Sequence, residues 1–233
     1  MPVVVPRCSR YRRGVSSRAL AIIFDCDGVL VDSERLVCRV EAELLTAWGW
    51  PLTPEQARAE FKSRAFPDIA ASIEERLRGK LPPDWMYLWA METAVLFQRE
   101  LREVAGVRPV LEALSRAQVP MCVASQSPPP RVKLSLALTD LARYFDGRVF
   151  TSSLVARPKP APDLFLHAAN ALELSPEHCI VIEDSPSGAR AAIAAGMRVL
   201  GYAADEHAER LEAAGAEVFH EMGELQGLIA EAF

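Results

Sequence analysis

Ala19-Leu20-Ala21-Ile22-Ile23-Phe24 is an unbroken apolar run that stops at Asp25-Cys26-Asp27-Gly28. A short run without polar alternation reads as a strand buried on both faces, as in a parallel sheet. The same grammar returns downstream. Val119 to Ala124 runs into Ser125-Gln126-Ser127, and Cys179 to Ile182 runs into Glu183-Asp184-Ser185, with a weaker copy in Arg148-Val149-Phe150 before Thr151-Ser152-Ser153. Met197 to Leu200 and Glu217-Val218-Phe219 are expected as edge strands. Helical patterns lie between, over 108–118, 129–138, 162–172, 186–195 and 206–214. Pro162 and Pro186 fall where first-turn prolines are tolerated, Asp163 reads as a helix cap, and Gly196 as a helix stop. Strands alternating with helices of this size imply βαβ units, hence an α/β fold with a doubly wound parallel sheet.

One stretch breaks the alternation. From Glu34 to about Val104 no strand is predicted, and helical periodicity covers 34–48, 54–61, 67–78 and 83–104. Thr53 with Gln56 forms a capping-box pattern at the second of these. Trp85, Tyr87, Trp89 and Phe97 are expected to pack inside this helical unit. The predicted organisation is therefore a basic, disordered extension over 1–18, an α/β core over 19–33 and 105–233, and an inserted helical cap over 34–104, able to move over whatever lies beneath it.

Composition narrows the function. Of 233 residues, 50% are hydrophobic, which suffices for a sizeable core and excludes global disorder. Lys and Arg number 26 against 31 Asp and Glu, for a net charge of −5. Five of those arginines (Arg7, Arg10, Arg12, Arg13 and Arg18) stand in the first 18 residues, which contain no acid, so the remainder carries −10. A body that acidic is a poor nucleic-acid binder. The start lacks the apolar segment of a secretory signal, and no run approaches the ~18–20 residues of a membrane span. Five widely spaced cysteines (Cys8, Cys26, Cys38, Cys122 and Cys179) contain no C-x-x-C pair, and four scattered histidines, His167, His178, His207 and His220, show no ligand spacing. This argues against disulfides and zinc and fits a reducing, cytoplasmic setting.

The polar residues that end the runs carry the chemistry. Ligands of open α/β sheets bind outside the carboxyl ends of the strands. Those ends gather Asp25 and Asp27, Ser125, Glu183 and Asp184, with Lys159 on an intervening loop. Four carboxylates in one crevice repel unless a hard cation sits among them, and oxygen-only donors favour Mg²⁺. Residues i and i+2 of extended chain point the same way, so Asp25 and Asp27 can face one reacting atom while Cys26 points away to pack. Gly28 lets the chain turn sharply. A carboxylate can accept a phosphoryl group if a cation and a lysine offset the repulsion between two anions. Ser125 can hold the phosphoryl oxygens, and Asp27 can protonate the leaving alkoxide and then activate water.

The segment Asp25-Cys26-Asp27-Gly28-Val29-Leu30-Val31-Asp32-Ser33-Glu34 resembles the opening motif of the haloacid dehalogenase superfamily, in its phosphatase and β-phosphoglucomutase-like branch. Ala124-Ser125-Gln126-Ser127 resembles the second motif and Lys159-Pro160-Ala161-Pro162-Asp163 the third. Glu183-Asp184-Ser185 with Gly188 and Ala195-Gly196-Met197 resembles the fourth. The resemblance spans 19–34 and about 105–203, occurs in the family's order, and implies a Rossmann-like core with a mobile cap. It implies Asp25 as nucleophile and Asp27 as general acid/base. It also implies Mg²⁺ on Asp25, the main-chain carbonyl of Asp27, Asp184 and Glu183 (direct or through water), and Ser125, Gln126 and Lys159 on the phosphate. Aspartate at the second position argues against true dehalogenation. Gln126 stands where the branch commonly has Asn, Ser63 replaces a glycine of the cap's substrate loop, Phe66 falls near an arginine that would hold a second phosphate, and Val37 near a histidine. The last two favour hydrolysis over mutase chemistry. Lys62 and Arg64 are the cap candidates for an anionic substrate tail.

The expected activity is Mg²⁺-dependent hydrolysis of a small phosphorylated metabolite, a sugar phosphate foremost, through an aspartyl phosphate. Its rivals are a hexose-phosphate mutase and a non-catalytic phospho-acceptor switch. The expected partner is the metabolite alone, with no nucleic acid or membrane, and the chain as a monomer or weak homo-oligomer.

Overall fold

The structure, a computed structural model, describes residues 20–62, 64, 66–204 and 208–230. The expected extension over 1–18 with Cys8, the departure at Ser63, His207 and the start of the helix expected at Glu206 lie outside the described residues. In chain order the elements are β1 (Ala21–Phe24), α1 (Glu34–Ala47), α2 (Pro54–Phe61), α3 (Phe66–Arg76), α4 (Trp85–Glu100), α5 (Val107–Arg116), β2 (Met121–Ser125), α6 (Pro129–Leu138), β3 (Val149–Thr151), α7 (Asp163–Ala171), β4 (Cys179–Glu183), α8 (Pro186–Ala194), β5 (Arg198–Tyr202), α9 (Ala208–Ala213), β6 (Glu217–Phe219) and α10 (Leu225–Ala230). Short 3₁₀ turns join several of them.

The six strands form one parallel sheet in the order β3-β2-β1-β4-β5-β6. From β1 the chain builds outward to one side through β2 and β3, then returns to build the other side from β4. The switch point, where ligands of such sheets bind, is the crevice between β1 and β4. Register there is tight: Phe24 pairs with Ile182, and the Asp25 amide donates to the Ile182 carbonyl at 2.9 Å. Asp25 is thereby set level with the end of β4.

Period-two alternation divides the buried strand residues between two layers. Ile22, Phe24, Val123, Ile180, Ile182 and Leu200 pack on one face with residues of α5, α6 and α10. Ala21, Ile23, Ala124, Val181 and Val199 meet alanine-rich α7 and α8 on the other. Cys26 joins the first layer, fully buried, as alternation predicts. All four described cysteines are buried and free.

A separate cluster holds the inserted helices: Val40, Leu45, Trp50, Phe61, Ile73, Trp85 and Trp89. The Thr53–Gln56 capping box forms at α2 as predicted. No described helix is long and apolar enough to cross a membrane.

Four expectations need correction. β5 is an interior strand, because β6 covers its outer side, with Arg198 paired to Glu217 across the two. Tyr87 is 63% exposed, on the outward face of α4. Phe97 packs with the sheet core instead of the cap cluster, so α4 is anchored beneath the cap. Asp163 does not cap α7; Pro162 takes the N-cap position and the Asp163 carboxylate accepts from Arg157. The sequence reading also passed over α10.

Candidate active site

β1 ends in a tight reversal. The amides of Leu30 and Val31 donate back to the Cys26 carbonyl at 2.9 and 3.1 Å, and the Gly28 amide donates to Val31. Gly28 adopts φ +82°, and a Cβ there would collide with the Asp184 carboxyl, so both conformation and space demand glycine. The turn thus presses the end of β1 against the end of β4.

Lys159 fills the space between those ends. Its Nζ donates to Asp25 Oδ1 at 2.6 Å, Glu183 Oε1 at 2.5 Å and the Ala124 carbonyl at 3.0 Å. The lysine is 5% exposed and Asp25 8%. Burial alone would lower the Lys159 pKa, but the two carboxylates outweigh it and raise it, so the ammonium stays charged. Burial, with Glu183 and Asp27 adding, pushes Asp25 up to about 7 against the pull of Lys159. The other Glu183 oxygen accepts from the Ser185 amide and hydroxyl at 3.0 and 2.9 Å. A Cβ at Gly188 would fall on that carboxylate, so the first turn of α8 carries glycine where Glu183 needs the room.

Asp27 lines the same cavity but keeps different company. Its carboxylate accepts from Arg131 at 2.8 Å, Ser127 Oγ at 2.6 Å and Ser33 Oγ. Burial would push its pKa up; Arg131 and the two hydroxyls outweigh burial and hold it below the usual carboxylate value. The two aspartates of one turn therefore differ, one pushed toward protonation and one held ionised.

Asp184 completes the crevice. Its carboxyl makes no hydrogen bond among the described residues, and burial, then the charges of Glu183 and Asp25, push its pKa well up. Negative charge here is under-compensated by protein, which suits a bound cation. Among the described residues no three His, Cys, Asp or Glu side chains form a metal cage by themselves. Mg²⁺ does not ask for one, since it is commonly held by one or two carboxylates plus water and phosphate oxygens.

The cavity lined by Asp25, Asp27, Ser125, Lys159, Asp184 and Arg131 encloses about 180 Å³. A sequence profile of the haloacid dehalogenase-like hydrolases matches residues 20–196. The chain belongs to that family. It is 35% identical over 194 residues to a 6-phosphogluconate phosphatase of Escherichia coli strain K12, covering 82% of this chain and 86% of that one. It is 31% identical over 185 residues to a phosphorylated carbohydrates phosphatase of Thermotoga maritima, covering 78% and 84%. A solved HAD-family hydrolase of Deinococcus radiodurans R1, with bound phosphate and sodium, superposes with TM-score 0.74 at 31% identity over 92% of this chain and 97% of that one.

Within this HAD-like hydrolase, Asp25, Asp27, Ser125, Gln126, Lys159, Asp184, Lys62 and Arg64 all line the one cavity. Glu183 sits behind it, both oxygens spent on Lys159 and Ser185. The two cap cations are engaged within the cap. Lys62 pairs with Glu34 at 3.1 Å, which also receives Arg58, while Arg64 donates to the Asp68 carbonyl at 2.9 Å and to Ser72. Sequence reasoning missed Ser33, Ser127, Arg131 and Glu41. Ser33 stands at an N-cap position, yet its hydroxyl makes no cap bond and goes to Asp27. Arg131 hides behind Pro128-Pro129-Pro130 in the first turn of α6. Glu41 has a legible signal, an acid seven residues after Glu34 on the inward face of α1.

Proposed function

We propose that this hydrolase is a Mg²⁺-dependent phosphatase of a small phosphorylated metabolite, a sugar phosphate foremost, working through an aspartyl phosphate on Asp25. The observation that carries it is the triple contact of Lys159 with Asp25, Glu183 and the end of β2, which puts a fixed positive charge beside a carboxylate at the sheet's switch point. Two similar proteins that are named for phosphorylated sugars or sugar acids support the substrate class.

An Asp25 oxygen attacks phosphorus, forming the acyl phosphate bond as the ester P–O bond breaks. Lys159 and Ser125 hold the non-bridging oxygens through attack and hydrolysis. Asp27 gives the departing alkoxide its proton, and then takes one from the water that attacks the acyl phosphate, restoring Asp25 and releasing inorganic phosphate. Arrival of an anionic phosphoryl group raises the proton affinity of Asp27, which suits it to act first as acid. Glu183 anchors Lys159 from behind. Asp25, Asp184 and the Asp27 carbonyl would hold Mg²⁺, whose charge offsets that of the phosphoryl group and its acceptor.

A mutase would need to hold a second phosphate. Phe66 stands instead at the head of α3, edge-on to Trp89 in an apolar wall, which favours hydrolysis. Steady release of inorganic phosphate from a panel of sugar phosphates, abolished by EDTA and restored by Mg²⁺, is expected. A single stoichiometric phosphorylation without release would indicate the switch, and isomer formation without free phosphate the mutase.

A further inference from the structure

A second cavity of about 280 Å³ opens behind the first, between α4 of the cap and α6 of the core. The two share Val37, Glu41, Arg64, Gln126, Ser127 and Arg131 as common wall, so the second cavity adjoins the space open to the leaving group of a phosphate ester seated at Asp25. Together their volumes suit a small metabolite. Much of the second wall is apolar, with Phe66, Trp89 and Phe97.

Set into that wall are polar groups that the protein itself does not satisfy. Glu41 is 4% exposed and its carboxyl makes no hydrogen bond among the described residues. Thr93 Oγ1, Gln126 Oε1 and Arg131 Nε are likewise buried without a hydrogen-bond partner. All four residues line the second cavity. Leaving a buried polar group unpaired is costly, and a cluster of such groups around one void marks a place where something else supplies the bonds. Water can do so in the free protein, and a ligand carrying hydroxyls can replace that water without losing its bonds. The charged groups that act on Glu41 are Arg131, which attracts, and Glu34, which repels; burial dominates both and pushes its pKa up to about 8. At neutral pH the acid can then donate as well as accept, which is what a hydroxyl asks of a partner.

We propose that Glu41 is a specificity-determining residue, reading a hydroxyl on the leaving group, with Thr93 and Gln126 reading others and the aromatic wall covering the carbon skeleton. This rests on the phosphatase reading above, since it requires the phosphate to sit at Asp25. No step of the chemistry passes through Glu41; it ranks substrates.

The test compares sorbitol 6-phosphate with n-hexyl phosphate, two six-carbon monoesters with and without hydroxyls. Wild-type enzyme is expected to favour the polyol ester in kcat/KM. Glu41→Leu should cut that preference by on the order of tenfold or more, because a site built for a hydroxyl rejects its absence strongly only while the partner is there. Glu41→Gln should retain most of the preference, and Thr93→Val should lose a smaller part. Thr93→Val also serves if Glu41→Leu does not fold. Parallel loss on both esters would assign Glu41 a structural role and overturn the inference, as would an unchanged ratio or a wild type without preference. Release of phosphate from hexyl phosphate in those cases leaves the phosphatase reading standing. No release from either ester while other sugar phosphates are turned over overturns this inference alone; no release from any phosphate ester overturns both.

Discussion

Two carboxylates, Asp25 and Glu183, close on the Lys159 ammonium in a space with almost no solvent exposure. Removing one partner of a buried pair leaves charge without compensation, a larger effect than the pair's own net contribution. Lys159→Met is expected to lower unfolding free energy by about 3 kcal/mol in urea denaturation and to abolish turnover; full stability would mean the three groups are not so coupled. That Asp25, Asp27, Lys159 and Asp184 would meet at one cavity was legible because strand ends in this topology converge. Arg131 and Ser127 on Asp27 were not, since nothing in local spacing says that the first turn of α6 reaches back to the turn after β1. Nor does spacing show that Lys62 spends itself on Glu34.

At the scale of elements, the turn after β1 and the start of α8 are shaped by glycine. A side chain at Gly28 must adopt positive φ and displace Asp184; one at Gly188 must displace Glu183. Gly28→Ala is expected to cost about 1–3 kcal/mol and to weaken Mg²⁺ affinity measured by calorimetry. Unchanged affinity would detach Asp184 from the ion. Strand positions were legible from unbroken apolar runs, whereas their places in the sheet were less so. β5 was expected as an edge, yet its Arg198 reaches Glu217 of β6, and a Cβ at its Gly201 would press on Ala216 and Leu211. α10 is six residues long, too short for periodicity to reveal.

Across the whole molecule, the raised carboxyls couple stability to pH and metal. A carboxyl whose folded pKa lies above its unfolded value stabilises fully below the unfolded pKa, and that contribution is lost as pH rises through the folded pKa. For Asp25 that loss begins near the ordinary carboxyl value of 3.8 and is complete just above about 7, and Asp184 shifts in the same direction. Metal-free protein should therefore melt at lower temperature at about pH 8 than at about pH 6 through this contribution. Mg²⁺ held as proposed would bind the ionised carboxylates, so its stabilising increment is expected to be larger at the higher pH. Thermal melts with Mg²⁺ and with EDTA at both values check the sign; an increment larger at low pH would contradict it. The two-part plan, sheet core plus inserted helices, was readable from the single break in strand–helix alternation. The cavity between the parts was not, because it depends on how α4 and α6 meet.

Covalent capture of the phosphoryl group tests the nucleophile most directly. Enzyme quenched in acid during turnover of 4-nitrophenyl phosphate, digested and analysed by mass spectrometry, should carry one phosphoryl group on the peptide containing Asp25, on that side chain alone. Phosphoryl on any other residue, or none while turnover proceeds, would contradict Asp25 as the acceptor.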